Sequence, residues 1–121
     1  MTMLIVDDNP KMRRLIRSAV ADLADGIYEG TNGAEAIALH VLHEPDWLVI
    51  DIAMPVLDGI EATRRIRGFA PDARIVVLTV LNDPSLREAA RDAGACAYLL
   101  KENLLDLRQI VTDAVPGAIS Q

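Results

Sequence analysis

Apolar residues fall into two rhythms along this chain, and the two alternate from one end to the other. Short apolar runs bounded by polar residues read as buried strands: Met3 to Val6, Trp47 to Ile50, Ile75 to Leu78 and Ala97 to Leu100. Between them apolar positions recur three and four apart, which is one face of a helix. Met12, Leu15, Ile16, Ala19, Val20 and Leu23 form the first such face, with Asn9 as its cap and Pro10 in its first turn. Ile27 to Thr31 is a weaker strand, and Ala34, Ile37, Ala38, Val41 and Leu42 mark a second helix closed by Glu44-Pro45. A third helix turns Ile60, Thr63 and Ile66 inward and leaves Arg64, Arg65 and Arg67 mostly solvated. Leu86, Ala89, Ala90 and Ala93 make a fourth face between Pro84 and Gly94, a natural helix terminator. Leu104, Leu107, Ile110, Val111, Ala114 and Val115 make the fifth, ended by Pro116-Gly117.

Five strands alternating with five helices predict an α/β fold: a doubly wound, five-stranded parallel sheet covered on both faces through right-handed crossovers. Residues 1–115 are expected to form one domain, with 116–121 as a short tail or the start of a linker. A chain of 121 residues that is 51% hydrophobic can bury a core without staples. Its one cysteine, Cys96, excludes an internal disulfide and, between two alanines, reads as buried filler. A net charge of −6 argues against direct binding of nucleic acid. No apolar run approaches membrane-spanning length and no signal peptide precedes the first strand, so the expectation is a cytoplasmic chain with no membrane partner.

The residues that end these strands carry the chemistry. Asp7 and Asp8 follow the first, Asp51 the third, Thr79 the fourth and Lys101 the fifth. In an open parallel sheet these ends share one edge, where such folds bind ligands. Taken singly, each has a duller reading: acids as helix caps, a β-branched strand end, a solvated lysine. Together, three carboxylates against one ammonium leave an excess of two negative charges, which one divalent cation cancels. Mg2+ takes one or two carboxylates plus phosphate oxygens, so the set describes a site for Mg2+ and a phosphoryl group.

Asp7-Asp8, then Asp51 followed by Met54-Pro55-Val56-Leu57-Asp58-Gly59, then Thr79, then Tyr98 three residues before Lys101: this pattern resembles the receiver domain of bacterial two-component response regulators. The resemblance covers residues 3–115 and implies the flavodoxin-like receiver fold. It implies that Asp51 accepts a phosphoryl group from a histidine kinase or phosphotransfer protein. Asp7, Asp8, Asp51 and the backbone carbonyl of Ala53 would hold Mg2+. Lys101 would pair with a phosphoryl oxygen, Thr79 would bond another, and Tyr98 would follow Thr79 inward to reshape the output surface. On this reading the chain is a switch rather than an enzyme, assisting only its own phosphorylation and dephosphorylation. Val80 after Thr79 is bulkier than the family prefers, and Glu102 stands where many members have proline. The stretch from Gly94 to Glu102 looks most like the subfamily whose receivers precede a DNA-binding helix-turn-helix domain, so a missing output domain and a phosphorylation-dependent dimer are expectations.

Two rivals use the same features. A hydrolase of the haloacid dehalogenase type needs a second aspartate two residues after the nucleophile, where this chain has Ala53. A protein-interaction module on the same fold, never phosphorylated, would have no need of all five chemical positions. The first helix also carries Lys11, Arg13, Arg14 and Arg17 off its apolar stripe. They predict either a solvated face or a basic docking patch for the kinase.

Overall fold

The computed structural model describes residues 1–113. The expected positions Ala114 and Val115 and the tail at 116–121 lie outside the described residues. The chain runs β1 (Thr2–Val6), α1 (Pro10–Val20), β2 (Gly26–Gly30), α2 (Gly33–His43), β3 (Trp47–Ile50), α3 (Gly59–Phe69), β4 (Arg74–Thr79), α4 (Pro84–Ala93), β5 (Ala97–Leu100), a 3₁₀ turn at Lys101–Asn103 and α5 (Asp106–Asp113). All strand pairs are parallel and the sheet order is β2-β1-β3-β4-β5. The expected doubly wound five-stranded sheet with five helices is the one observed.

Alternation along the strands builds two cores, because successive side chains leave opposite faces. Leu4, Val6, Leu48, Ile50, Ile75 and Val77 face α2, α3 and α4, which contribute Ala36, Ile60, Ala62, Ile66 and Ala90. Met3, Ile5, Trp47, Val49, Val76 and Leu78 face α1 and α5, which contribute Ile16, Val20, Leu107 and Val111. The inner strands β1, β3 and β4 are buried on both faces, hence their unbroken apolar runs.

Side-chain caps start the helices: Asn9, Asn32, Asp58 and Asp83 each accept from backbone N–H groups of the first turn. β1 and β4 extend the expected runs to Thr2–Val6 and Arg74–Thr79, and other predicted boundaries shift as well. The first helix stops at Val20, with Leu23 in a following turn that still packs on the α1–α5 side, and Leu15 is exposed instead of inward. β2 begins and ends one residue earlier than Ile27 to Thr31. Leu104 lies in the turn before α5, its N–H on the Lys101 carbonyl at 3.2 Å.

The largest correction is the face of α2. Of the expected inward set, Ala34 and Ala38 are exposed, and Val41 and Leu42 are 61% and 71% exposed, while Gly33, Ala36 and His40 are buried. This helix is apolar nearly all round, so periodicity could not choose its buried side. A close backbone approach chooses it. The Gly33 N–H donates to the Leu57 carbonyl at 3.0 Å, and a Cβ at Gly33 would lie 2.3 Å from that oxygen. Arg67 departs too: its guanidinium donates to the carbonyls of Ala73 and Gly94 at 3.2 and 3.1 Å, tying α3 to the start of β4 and the end of α4. Cys96 is exposed, not filler, because it sits in the turn entering an edge strand, beside a groove between α4 and β5.

Candidate functional site

Register brings the strand ends together. Val6 pairs with Ile50, so Asp7 and Asp51 emerge side by side, and Thr79 pairs with Leu100, the residue before Lys101, at the same edge. Asp51 N–H donates to the Val6 carbonyl at 3.1 Å and Asp7 N–H to the Gly30 carbonyl at 3.2 Å, extending the ladder one step past the strands. Carboxylate oxygens of Asp7, Asp8 and Asp51 lie within 4.8 Å of one another. Asp7 and Asp51 are buried and Asp8 is exposed, so the cluster has a floor and a solvent side.

Lys101 joins the two buried acids. Its Nζ stands 2.9 Å from Asp51 Oδ2, as a hydrogen bond, and 2.8 Å from Asp7 Oδ2. Burial pulls the Lys101 ammonium down, but the carboxylates of Asp7 and Asp51 outweigh it and hold the pKa above its usual value. The other oxygens are placed by backbone: Asp7 Oδ1 accepts from Asn9 N–H at 2.9 Å and Asp51 Oδ1 from Ile52 N–H at 2.7 Å. Asp7 Oδ2 is buried and takes no hydrogen bond of good geometry, despite the nearby ammonium. Its one close partner among the described residues is therefore Lys101, as an ion pair. Three converging carboxylates, all hard oxygen donors, against one ammonium fit a divalent cation such as Mg2+.

The loop after Asp51 is held by tight contacts. Gly59 N–H donates to the Ile52 carbonyl at 2.9 Å, and a Cβ there would fall 1.9 Å from the Asp51 carbonyl oxygen, so only glycine lets α3 start against the Asp51 backbone. Asp58 caps α3 through Ile60 and Glu61 N–H groups at 2.8 and 2.9 Å. Between them Leu57 N–H reaches the Pro55 carbonyl at 2.8 Å around Val56, whose φ is 70°. That is a γ-turn of the strained kind, at a β-branched residue. Ala53 is exposed in this loop, two residues past Asp51.

Thr79 is fully buried, and its Oγ1 accepts from Leu81 N–H at 3.2 Å. Tyr98 is half-buried with its hydroxyl directed to the Leu81 carbonyl. Burial, with the carboxylates of Asp83 and Asp51, lifts the Tyr98 phenol above its usual pKa against the opposing pull of Arg87. It is therefore a proton donor at neutral pH. All the residues expected from the sequence thus lie along this edge, Tyr98 reaching it through Leu81.

Arginines account for what sequence reasoning missed. Arg13 and Arg17 both bind Glu29, and Arg13 also reaches the Asp7 carbonyl, so two of the four basic residues on α1 share one carboxylate. Lys11, Arg14 and Arg17 are exposed. Arg87 lies over the Tyr98 ring at 4.5 Å. A basic residue opposite an acid on the neighbouring strand was the available signal for Arg13, but strand neighbours follow from topology, not spacing.

Comparison with known proteins agrees with this geometry. Residues 3–112 match the family model for the response regulator receiver domain. The chain is 37% identical over 98 residues to the chemotaxis protein CheY of Halobacterium salinarum, covering 81% of this chain and 82% of that one. It is 38% identical over 103 residues to the response regulator MprA of Mycobacterium tuberculosis, covering 85% of this chain and 45% of MprA. The chain thus spans about half the length of that relative. Among solved structures, a two-component response regulator of the LuxR family from Aurantimonas superposes with a TM-score of 0.85 at 31% identity, over 92% of this chain and 81% of that one. A CheX–CheY complex with BeF3 and Mg2+ from Borrelia burgdorferi gives 0.84 at 26% identity, over 93% and 87%.

Proposed function

This chain belongs to the family of response regulator receiver domains, and from that membership we propose that it is a phosphoacceptor switch with Asp51 as the accepting residue. The observation that carries the reading is Lys101 Nζ, 2.8 Å from Asp7 Oδ2 and 2.9 Å from Asp51 Oδ2, at the buried end of a three-carboxylate cluster.

A carboxylate oxygen of Asp51 attacks the phosphorus of a phosphohistidine. The P–N bond breaks, the electron pair leaves with the imidazole, and an acyl phosphate forms on Asp51. Phosphoryl transfer asks for positioning and charge neutralisation more than for elaborate acid–base groups. Lys101 supplies a fixed positive charge beside Asp51, and Thr79 supplies a hydroxyl for a second oxygen. Asp7, Asp8, Asp51 and the Ala53 carbonyl would hold Mg2+, which when bound supplies the remaining charge neutralisation. Tyr98, linked to Thr79 through Leu81, passes the change to α4 and β5. On this reading the chain is no turnover enzyme. It works in the cytoplasm, and its partners are a sensor histidine kinase or phosphotransfer protein. Its output runs through a DNA-binding domain or a phosphorylation-dependent dimer.

The test is intact mass after incubation with acetyl phosphate. One phosphoryl group should be gained with Mg2+ present, none with chelator, and none in Asp51→Asn. A wild type that stays unmodified would favour an interaction module on the same fold, and uptake surviving in Asp51→Asn would move the acceptor elsewhere.

A further inference from the structure

Arg13 is the one residue of α1 whose side chain reaches back to the backbone of the acid cluster. Its Nη1 donates to the Asp7 carbonyl at 2.7 Å and its Nε to Glu29 Oε1 at 3.0 Å. The side chain is 17% exposed. Glu29 is gripped from the other side by Arg17, with Nη2 at 2.7 Å and Nε at 2.8 Å from Oε2. The guanidinium of Arg13 is thereby fixed in plane between a carboxylate on β2 and a peptide carbonyl at the end of β1.

That carbonyl belongs to the peptide joining Asp7 to Asp8. On one side of it Asp7 is buried in the floor and on the other Asp8 is exposed, with their carboxylate oxygens close enough to reach one ion. We propose that Arg13 is a positioning residue for cation binding: it clamps the Asp7–Asp8 peptide so that both carboxylates converge on a divalent cation. The inference rests on the proposed Mg2+ role of the cluster and extends it to a residue that touches no ligand. Charge alone predicts the opposite effect. Removing a cation beside three carboxylates deepens the negative potential and tightens Mg2+ binding, whereas removing a clamp weakens it.

The experiment is calorimetric titration of the unphosphorylated protein with Mg2+, comparing Arg13→Ala, Arg13→Lys and Arg17→Ala. Arg17 shares Glu29 but does not touch Asp7. Arg13→Ala should bind Mg2+ about tenfold more weakly, Arg13→Lys less weakly than that, and Arg17→Ala within about twofold of wild type. If Arg13→Ala does not fold, Arg13→Lys carries the test, since it keeps the charge and loses the fork. Unchanged or tighter binding in the Arg13 variants, or equal weakening in Arg17→Ala, overturns the clamp while wild-type uptake of phosphoryl groups stays intact. A wild type that binds no Mg2+ overturns the clamp and the metal site together.

Discussion

The Tyr98 hydroxyl donates to the Leu81 carbonyl at 2.5 Å, and the Leu81 N–H in turn donates to Thr79 Oγ1 at 3.2 Å. One residue therefore bonds both Thr79 and Tyr98, the two residues of the proposed switch, through its two backbone groups. Arg87 adds a second grip on Tyr98, lying over the ring at 4.5 Å and donating to the Tyr98 carbonyl at 3.3 Å. Movement at Thr79 would be felt at Tyr98 through these two bonds.

If Tyr98 relays the proposed switch, removing only its hydroxyl should uncouple it without emptying the site. Tyr98→Phe is expected to lose about 1 kcal/mol of stability, and to take up a phosphoryl group as wild type does. The amide resonances of α4 and β5 should respond less to that uptake. A full wild-type response in the Phe variant would show that the hydroxyl is not the link.

Lys101 is the cation partner of two buried carboxylates, so deleting it leaves uncompensated charge. Lys101→Met should lose about 3 kcal/mol in chelator, and Mg2+ should stabilise the variant more than wild type. The raised pKa of Lys101 sets the pH window. A base whose folded pKa lies above its unfolded value of 10.5 contributes fully below 10.5 and is lost only as pH rises through the folded value. The gap between variant and wild type should thus be constant from about pH 7 to 9 in denaturant titrations, and a gap that shrinks across that range would contradict the pairing.

Val56 carries a positive φ of 70° and an 80% exposed side chain, so it is strained and packs against little. Val56→Gly removes the clash between Cβ and backbone at the cost of extra freedom when unfolded. The net expected gain is about 1 kcal/mol, read as a higher denaturant midpoint with an unchanged slope. A loss of stability would mean that this turn is not the strained one.

His40 is buried on α2, its ring edge-on to Phe69 at 6.0 Å, and burial holds its pKa below the usual value against the opposing pull of Glu44. A base with a depressed folded pKa takes its proton more readily when unfolded. Stability from this residue is therefore present above the unfolded value of 6.5 and is lost as pH falls below it toward the folded pKa. Melting curves at about pH 7.5 and 5.5 should show a smaller drop for His40→Leu than for wild type. Equal drops would assign the acid sensitivity to other groups.

The strands, the helices and the chemical edge were legible because they depend on local pattern. Four-residue apolar runs between helical patterns read as strands of a parallel sheet, and the polar residues that end them lie at the sheet edge where the strands stop. Asp51, Asp7 and Lys101 were found on that ground alone. Boundaries slipped where the pattern was weak: β2 lies at the sheet edge and is only half-buried, so its sequence is less constrained.

Sequence by itself determined the fold class, the order of elements and the set of groups that meet at one edge, since each follows from periodicity and from where apolar runs stop. Tertiary structure decided which side of α2 faces inward, because both sides are apolar and only the approach of Gly33 to Leu57 separates them. It decided that Arg13 and Arg17 serve Glu29 and not a free basic patch, because Glu29 becomes their neighbour only when β2 pairs beside β1. It also decided that Leu81 joins Thr79 to Tyr98, through backbone groups that every residue carries and no sequence pattern marks. Side-chain type is written along the chain, whereas which surfaces touch is set by the packing of elements far apart in it.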